Sequence, residues 1–293
     1  MTTDDSALPL PDRLRDLFVS WDAAGRQPQR AMRWNRSTWQ ATLPDHHDLL
    51  AELPDQIDRD VVAERGRRAG ESEAEAVQAF VSAMVWGYGP IGYGAFRTAR
   101  VLRENPDAPG VLLEAALRVR RDGGAEALAW LKANRLRYLG VAFATKYLFF
   151  CSGNEAPALV LDRLVQRWLW RHAACSVSLN WQVGHYRRYL VLLTGWADEL
   201  GITPGQAEWL IFADSASQEL GSPWASPLAT ADSSDDTACA ETAVLEALDE
   251  ALAAYVALGP DVEPSDVEDF ELGVRQLRRI VLARGFTHRG PSN

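Results

Sequence analysis

The chain has 293 residues, 47% of them hydrophobic, and a formal net charge of −10 at pH 7, which is enough apolar material for one large core or two smaller ones. No run of about 18 apolar residues occurs, so no helical membrane span is expected, and the opening Met1-Thr2-Thr3-Asp4-Asp5-Ser6 has neither the basic start nor the apolar centre of a secretory signal. Cys151, Cys175 and Cys239 are odd in number and form no CxxC, and His46 and His47 are neighbours whose side chains diverge, so the reading is a cytoplasmic, monomeric protein without membrane contact, metal or cofactor.

In chain order, helical periodicity runs almost throughout. Arg13 to Ala23 predicts an amphipathic helix with Leu14, Leu17, Phe18 and Trp21 on one face. Arg26 to Leu43 is less regular, with arginines interleaved among Trp34 and Trp39 in a pattern that suits either phosphate contact or cover for the tryptophans. Ser72 to Trp86 predicts a helix opened by a Ser72-Glu73-Ala74-Glu75 capping box, and the glycine-rich aromatic loop Gly87 to Gly94 separates it from a helix over Ala95 to Glu104. Further helices are predicted over Gly110 to Arg120, Gly124 to Ala133, the apolar run after Gly140, Asp162 to Ala173, Trp181 to Leu200 and Pro204 to Leu220. No alternating strand pattern persists, so the fold class is all-α. The Ser, Ala, Asp and Pro-rich residues 222–240 read as a flexible linker between a main domain over 1–221 and an acidic helical hairpin over 241–293.

The charge is unevenly placed. Residues 131–190 carry nine lysines and arginines against two acidic residues, a net of +7, whereas residues 222–293 carry thirteen acidic residues against five arginines, a net of −8. Binding to a polyanion depends on the local field at the contacting face, so a basic island in an acidic chain points to nucleic acid.

Within that island the stretch Leu139 to Asp162 is the most informative. Lys146 lies among Phe143, Ala144, Tyr147, Leu148 and Phe149, and a lysine sheltered by apolar neighbours is a candidate nucleophile. Asp162 stands where the next helix starts, a place for an N-cap. The helix before Leu139-Gly140-Val141 and the helix after it make a helix-hairpin-helix, in which Gly140, Val141 and Ala142 offer backbone N–H groups to a phosphate without reading sequence.

The order of hairpin, Phe143-Ala144-Thr145-Lys146, apolar helix and Leu159-Val160-Leu161-Asp162-Arg163-Leu164-Val165 resembles the helix-hairpin-helix DNA glycosylases, and most closely the bacterial 8-oxoguanine DNA glycosylase-fold (OGG-like) proteins, from about Val77 to Phe212. That resemblance implies a double-stranded DNA partner holding a damaged or modified base. It implies that Lys146 attacks C1′ of the sugar as the base leaves, that Asp162 stabilises the sugar cation, and that a lyase step cuts the strand. Tyr88 is implied as the wedge that fills the gap, Arg163 and the hairpin as DNA contacts, and Trp86, Glu208 and Phe212 as the base pocket.

Two departures qualify what the resemblance implies. The second glycine of the family's usual turn is Ala142 here, which sets Lys146 farther along its helix. Glu208 stands four residues before Phe212 where 8-oxoguanine enzymes carry a glutamine, and an anionic acceptor favours a base edge rich in donors. A glycosylase acting on modified bases of invading phage DNA and an inactive DNA-binding module are therefore the alternatives.

Overall fold

The computed structural model describes residues 8–91, 93–153 and 158–218, together with residues 248, 251, 270–274 and 276–278. The expected linker and most of the expected C-terminal hairpin lie outside them; residues 270–274 are helical, with Val274 buried.

The described fold is built of helices: α1 (Asp12–Ala23), α2 (Arg36–Thr42), α3 (His47–Glu52), α4 (Arg59–Arg68), α5 (Glu73–Tyr88), α6 (Tyr93–Arg103), α7 (Ala108–Asp122), α8 (Gly124–Ala133), α9 (Val141–Cys151), α10 (Arg163–Ala173), α11 (Val183–Leu200) and α12 (Pro204–Ser217). One antiparallel pair of two-residue strands, β1 (Met32–Arg33) and β2 (Gln56–Ile57), joins Met32 to Ile57 and Arg33 to Gln56. That pair and the helices α3 and α4 fill a region where the sequence reading predicted no regular element. Arg26 and Arg36 serve this local structure: Arg26 pairs with Asp22 at 2.6 Å, and Arg36 donates to the carbonyls of Leu50, Ala51 and Leu53 at the end of α3.

Helix starts follow side-chain chemistry. Asp58 accepts from the Val61 N–H at 2.9 Å and Ser72 from the Glu75 N–H at 3.2 Å, relieving donors that a first helical turn leaves unpaired. The box expected at Ser72 is half made, because the Glu75 carboxylate turns to Arg68 at 2.6 Å. A complete capping box stands instead at Thr203 and Gln206, opening α12.

Helices α5, α7 and α9 pack with buried faces that include Phe80, Leu112 and Tyr147, and the Tyr147 hydroxyl donates to the Leu112 carbonyl at 2.9 Å. Helix α4 lies close on α9: a Cβ at Gly66 would collide with the Phe150 carbonyl. Arg120 of α7 locks that crossing, donating to Cys151 O at 3.0 Å and to Gly66 O at 2.6 Å, the ends of α9 and α4 respectively. Helix α1 is held on α12 by Asp214, which accepts from Arg13 and, at 2.8 Å, from the Trp168 indole N–H.

Candidate active site

Lys146 lies in the middle of α9, and its Nζ donates to Asp162 Oδ2 at 2.9 Å. The two side chains are only 8% and 13% exposed. Three local features bring them together. Gly87 in α5 leaves a notch for the lysine stem: a Cβ there would stand 2.9 Å from Lys146 Cδ and 3.0 Å from the Phe143 ring. The Phe143 ring lies 5.3 Å from the ammonium, within cation–π range. The third feature is the extended buried strap of residues 158–161, which delivers Asp162.

That strap has no sheet partner among the described residues, and its backbone groups turn to side chains. The Tyr186 hydroxyl accepts from Leu159 N–H at 3.0 Å and donates to Leu159 O at 2.7 Å, and Tyr189 donates to Val160 O at 2.7 Å. Thr145 Oγ1 accepts from Leu161 N–H at 3.1 Å. Thr145 precedes Lys146 and Leu161 precedes Asp162, so this bond sets the register of the pair.

Asp162 is also the N-cap of α10, its Oδ1 accepting from Leu164 N–H at 3.0 Å and Val165 N–H at 3.2 Å. Burial opposes its ionisation, but the Lys146 ammonium and the two amides together hold its carboxyl below the usual carboxylate range.

A second buried ion pair adjoins the first. Glu208 of α12 is fully buried, and its Oε2 accepts from Arg59 Nη2 at 2.7 Å. Its other oxygen, Oε1, is buried with no hydrogen-bond partner among the described residues. Burial raises the Glu208 carboxyl above its usual range, opposed by Arg59. Arg59 lies 5.4 Å from the Trp86 ring and 4.9 Å from the Phe149 ring, and it donates to Gln29 Oε1 at 2.6 Å and Gly205 O at 3.3 Å. The sequence reading missed Arg59. Asp58, as a cap, could have signalled the helix that carries it, but no local signal ties it to a glutamate 149 positions away.

The remaining predicted residues fall around these pairs. Trp86 is buried with its ring edge-on to Phe150, and Phe212, one turn beyond Glu208, is 9% exposed. Helices α8 and α9 form the hairpin, with Gly140 exposed at the N-cap of α9 and open space where its Cβ would be. Val141 is buried, Ala142 half-buried, and Arg163 is exposed at the first position of α10. Tyr88 is half-buried and stacked on Phe143 at 4.1 Å, with its ring also against Gly94, so a wedge role would require it to leave that packing. In the basic island, Arg135 covers Trp181 and Arg187 pairs with Glu126.

The family model described as "Putative 8-oxoguanine DNA glycosylase OGG-like protein" matches residues 25–212, more than half of the chain. The chain belongs to this family. No curated protein and no solved structure matches it. The OGG-like match contains Lys146, Asp162, Arg59, Glu208 and Phe212. It also begins well before Val77, so β1, β2 and helices α2 to α4, which the sequence reading left without counterparts, fall within it.

Proposed function

We propose that this OGG-like protein is a DNA glycosylase with lyase activity, using Lys146 as nucleophile and Asp162 to stabilise the sugar cation. The observation that carries this reading is the sheltered Lys146–Asp162 pair at 2.9 Å, its lysine on the second helix of a hairpin whose exposed Gly140 end leaves room for a phosphate. A base within a duplex is out of reach of an amine, so the nucleotide is rotated out at a cost of a few kcal/mol. The bond from C1′ to the base then breaks and its electron pair leaves with the base. Lys146 Nζ forms the new bond to C1′. The ammonium gives up a proton for this attack and the departing base takes one up. Asp162 faces the positive charge that develops on the sugar and stabilises it. Elimination from the resulting Schiff base cuts the strand.

Borohydride trapping on duplexes containing an abasic site, 8-oxoguanine or modified cytosines tests this. A covalent adduct that forms with wild type and not with Lys146→Gln is the expected result; normal DNA binding with no adduct on any duplex would overturn it. A second reading, excision of a modified base from foreign DNA, is favoured by the carboxylate of Glu208 where 8-oxoguanine enzymes carry a glutamine, and the duplex that yields the adduct decides between the two.

A further inference from the structure

We propose that Arg59 is the positioning residue of the base pocket, orienting Glu208 so that Oε1 alone is presented to an extruded base and selects guanine-type edges, which offer N–H donors. This rests on the glycosylase reading above. Arg59 itself is nearly enclosed, its side chain 17% exposed. Its guanidinium is fixed from three directions, by Gln29 Oε1, Gly205 O and Glu208 Oε2, and flanked by the rings of Trp86 and Phe149. A fork held that firmly leaves Glu208 little rotational freedom.

The orphan oxygen is the second observation. A buried carboxylate oxygen without a partner is costly, and Glu208 Oε1 stands in that condition at the residue one helical turn before Phe212. A ligand N–H would satisfy it. The charged and titratable groups that act on Glu208 are Arg59 from α4, Lys146 from α9, Asp162 at the start of α10, and Tyr186 and Tyr189 from α11. Both tyrosine hydroxyls are engaged by the strap, and Lys146 and Asp162 are engaged with each other. Arg59 is thus the group that holds Glu208 directly. With it in place, Glu208 is an acceptor; without it, burial favours the protonated acid, which donates instead.

The test is binding to three duplexes that cannot be cleaved: one with a tetrahydrofuran abasic analogue, one with 2′-fluoro-8-oxoguanosine and one with 2′-fluoro-8-oxoadenosine. The two bases share their oxidised ring and differ in the edge, N–H at N1 in the first and an acceptor at N1 in the second. Wild type should prefer the guanine edge by about tenfold or more. Arg59→Lys, which keeps the charge and loses the fork, should retain part of that preference and Arg59→Met should abolish it, with affinity for the tetrahydrofuran duplex, which carries no base, as the reference for each variant. Glu208→Leu, which removes the acceptor altogether, should also abolish the preference. NMR titration of the glutamate side chains should show Glu208 ionising at higher pH in Arg59→Met than in Arg59→Lys. If wild type binds both edges alike, or if Arg59→Met discriminates like wild type, the inference is wrong while the glycosylase reading stands. Failure of wild type to favour the tetrahydrofuran duplex over intact DNA would remove that reading and this one with it.

Discussion

The carboxylate of Asp162 is divided between Lys146 and its own helix: Oδ2 accepts from the lysine at 2.9 Å while Oδ1 caps α10. A change at this position therefore has a chemical and a structural consequence that different substitutions separate. Asn keeps a capping oxygen and loses the charge; Ala loses both. We expect Asp162→Ala to be about 1 kcal/mol less stable than Asp162→Asn, and both to slow adduct formation strongly. Urea denaturation beside single-turnover trapping checks this, and equal stabilities would mean that the cap is not what Asp162 contributes to folding.

The acid limb of stability should carry the signature of the same residue. Asp162 and Asp214 both ionise below their usual range despite burial, held by Lys146 in one case and by Arg13 and the Trp168 indole in the other. Such groups add stability above the unfolded carboxylate value of about 3.9, and the contribution is lost as pH falls through the folded value. Glu208 has the opposite sign. Its folded pKa is raised by burial, so stability declines as pH rises above the unfolded glutamate value of about 4.3 toward the folded one. Unfolding midpoints measured across the acid range should show a shallower acid loss in Asp162→Asn and a steeper one in Glu208→Gln.

Gly87→Ala should separate folding from chemistry. The added Cβ meets the Lys146 stem at 2.9 Å, and a lysine can swing away where a backbone cannot. Thermal stability is expected to fall by about 1–3 kcal/mol, with adduct formation on an abasic duplex falling by tenfold or more, because a displaced amine is out of line for C1′. Unchanged trapping would show that the notch does not place Lys146.

Thr145→Val removes the acceptor for the buried Leu161 N–H with little change of shape. The expected cost is about 1–3 kcal/mol, together with slower trapping as the strap loses its register against α9. Thr145→Ser restores the hydroxyl and should recover most of the trapping rate; failure of Ser to do so would assign the effect to the lost methyl.

Much of this site was legible because its signals are local. Asp162 before Arg163-Leu164-Val165 reads as a cap, and it is one. Lys146 in an apolar run reads as sheltered, and it is buried. Helix α4 was not legible in the same way, since Arg59-Asp60-Val61-Val62-Ala63-Glu64-Arg65-Gly66-Arg67-Arg68 is heavily charged and holds a glycine that helix propensity disfavours. Only the crossing with α9 explains that glycine. Tyr88 shows the converse: the sequence reading ends the helix at Trp86 and places Tyr88 in a glycine-rich loop, yet α5 continues through it and carries its ring onto Phe143. The partnership of Arg59 with Glu208 is tertiary, and no window of sequence contains both.

Arg120 ties the last carbonyls of α4 and α9 to one guanidinium, and those two helices carry Arg59 and Lys146. The smallest unit able to hold the site in shape is therefore larger than the hairpin and its lysine. A chain begun at Val77 would expose the α9 face that Gly66 covers, strip Glu208 of its cation and leave Arg120 with only Cys151 to hold. The early helices are better regarded as one wall of the candidate site than as an appendage to it.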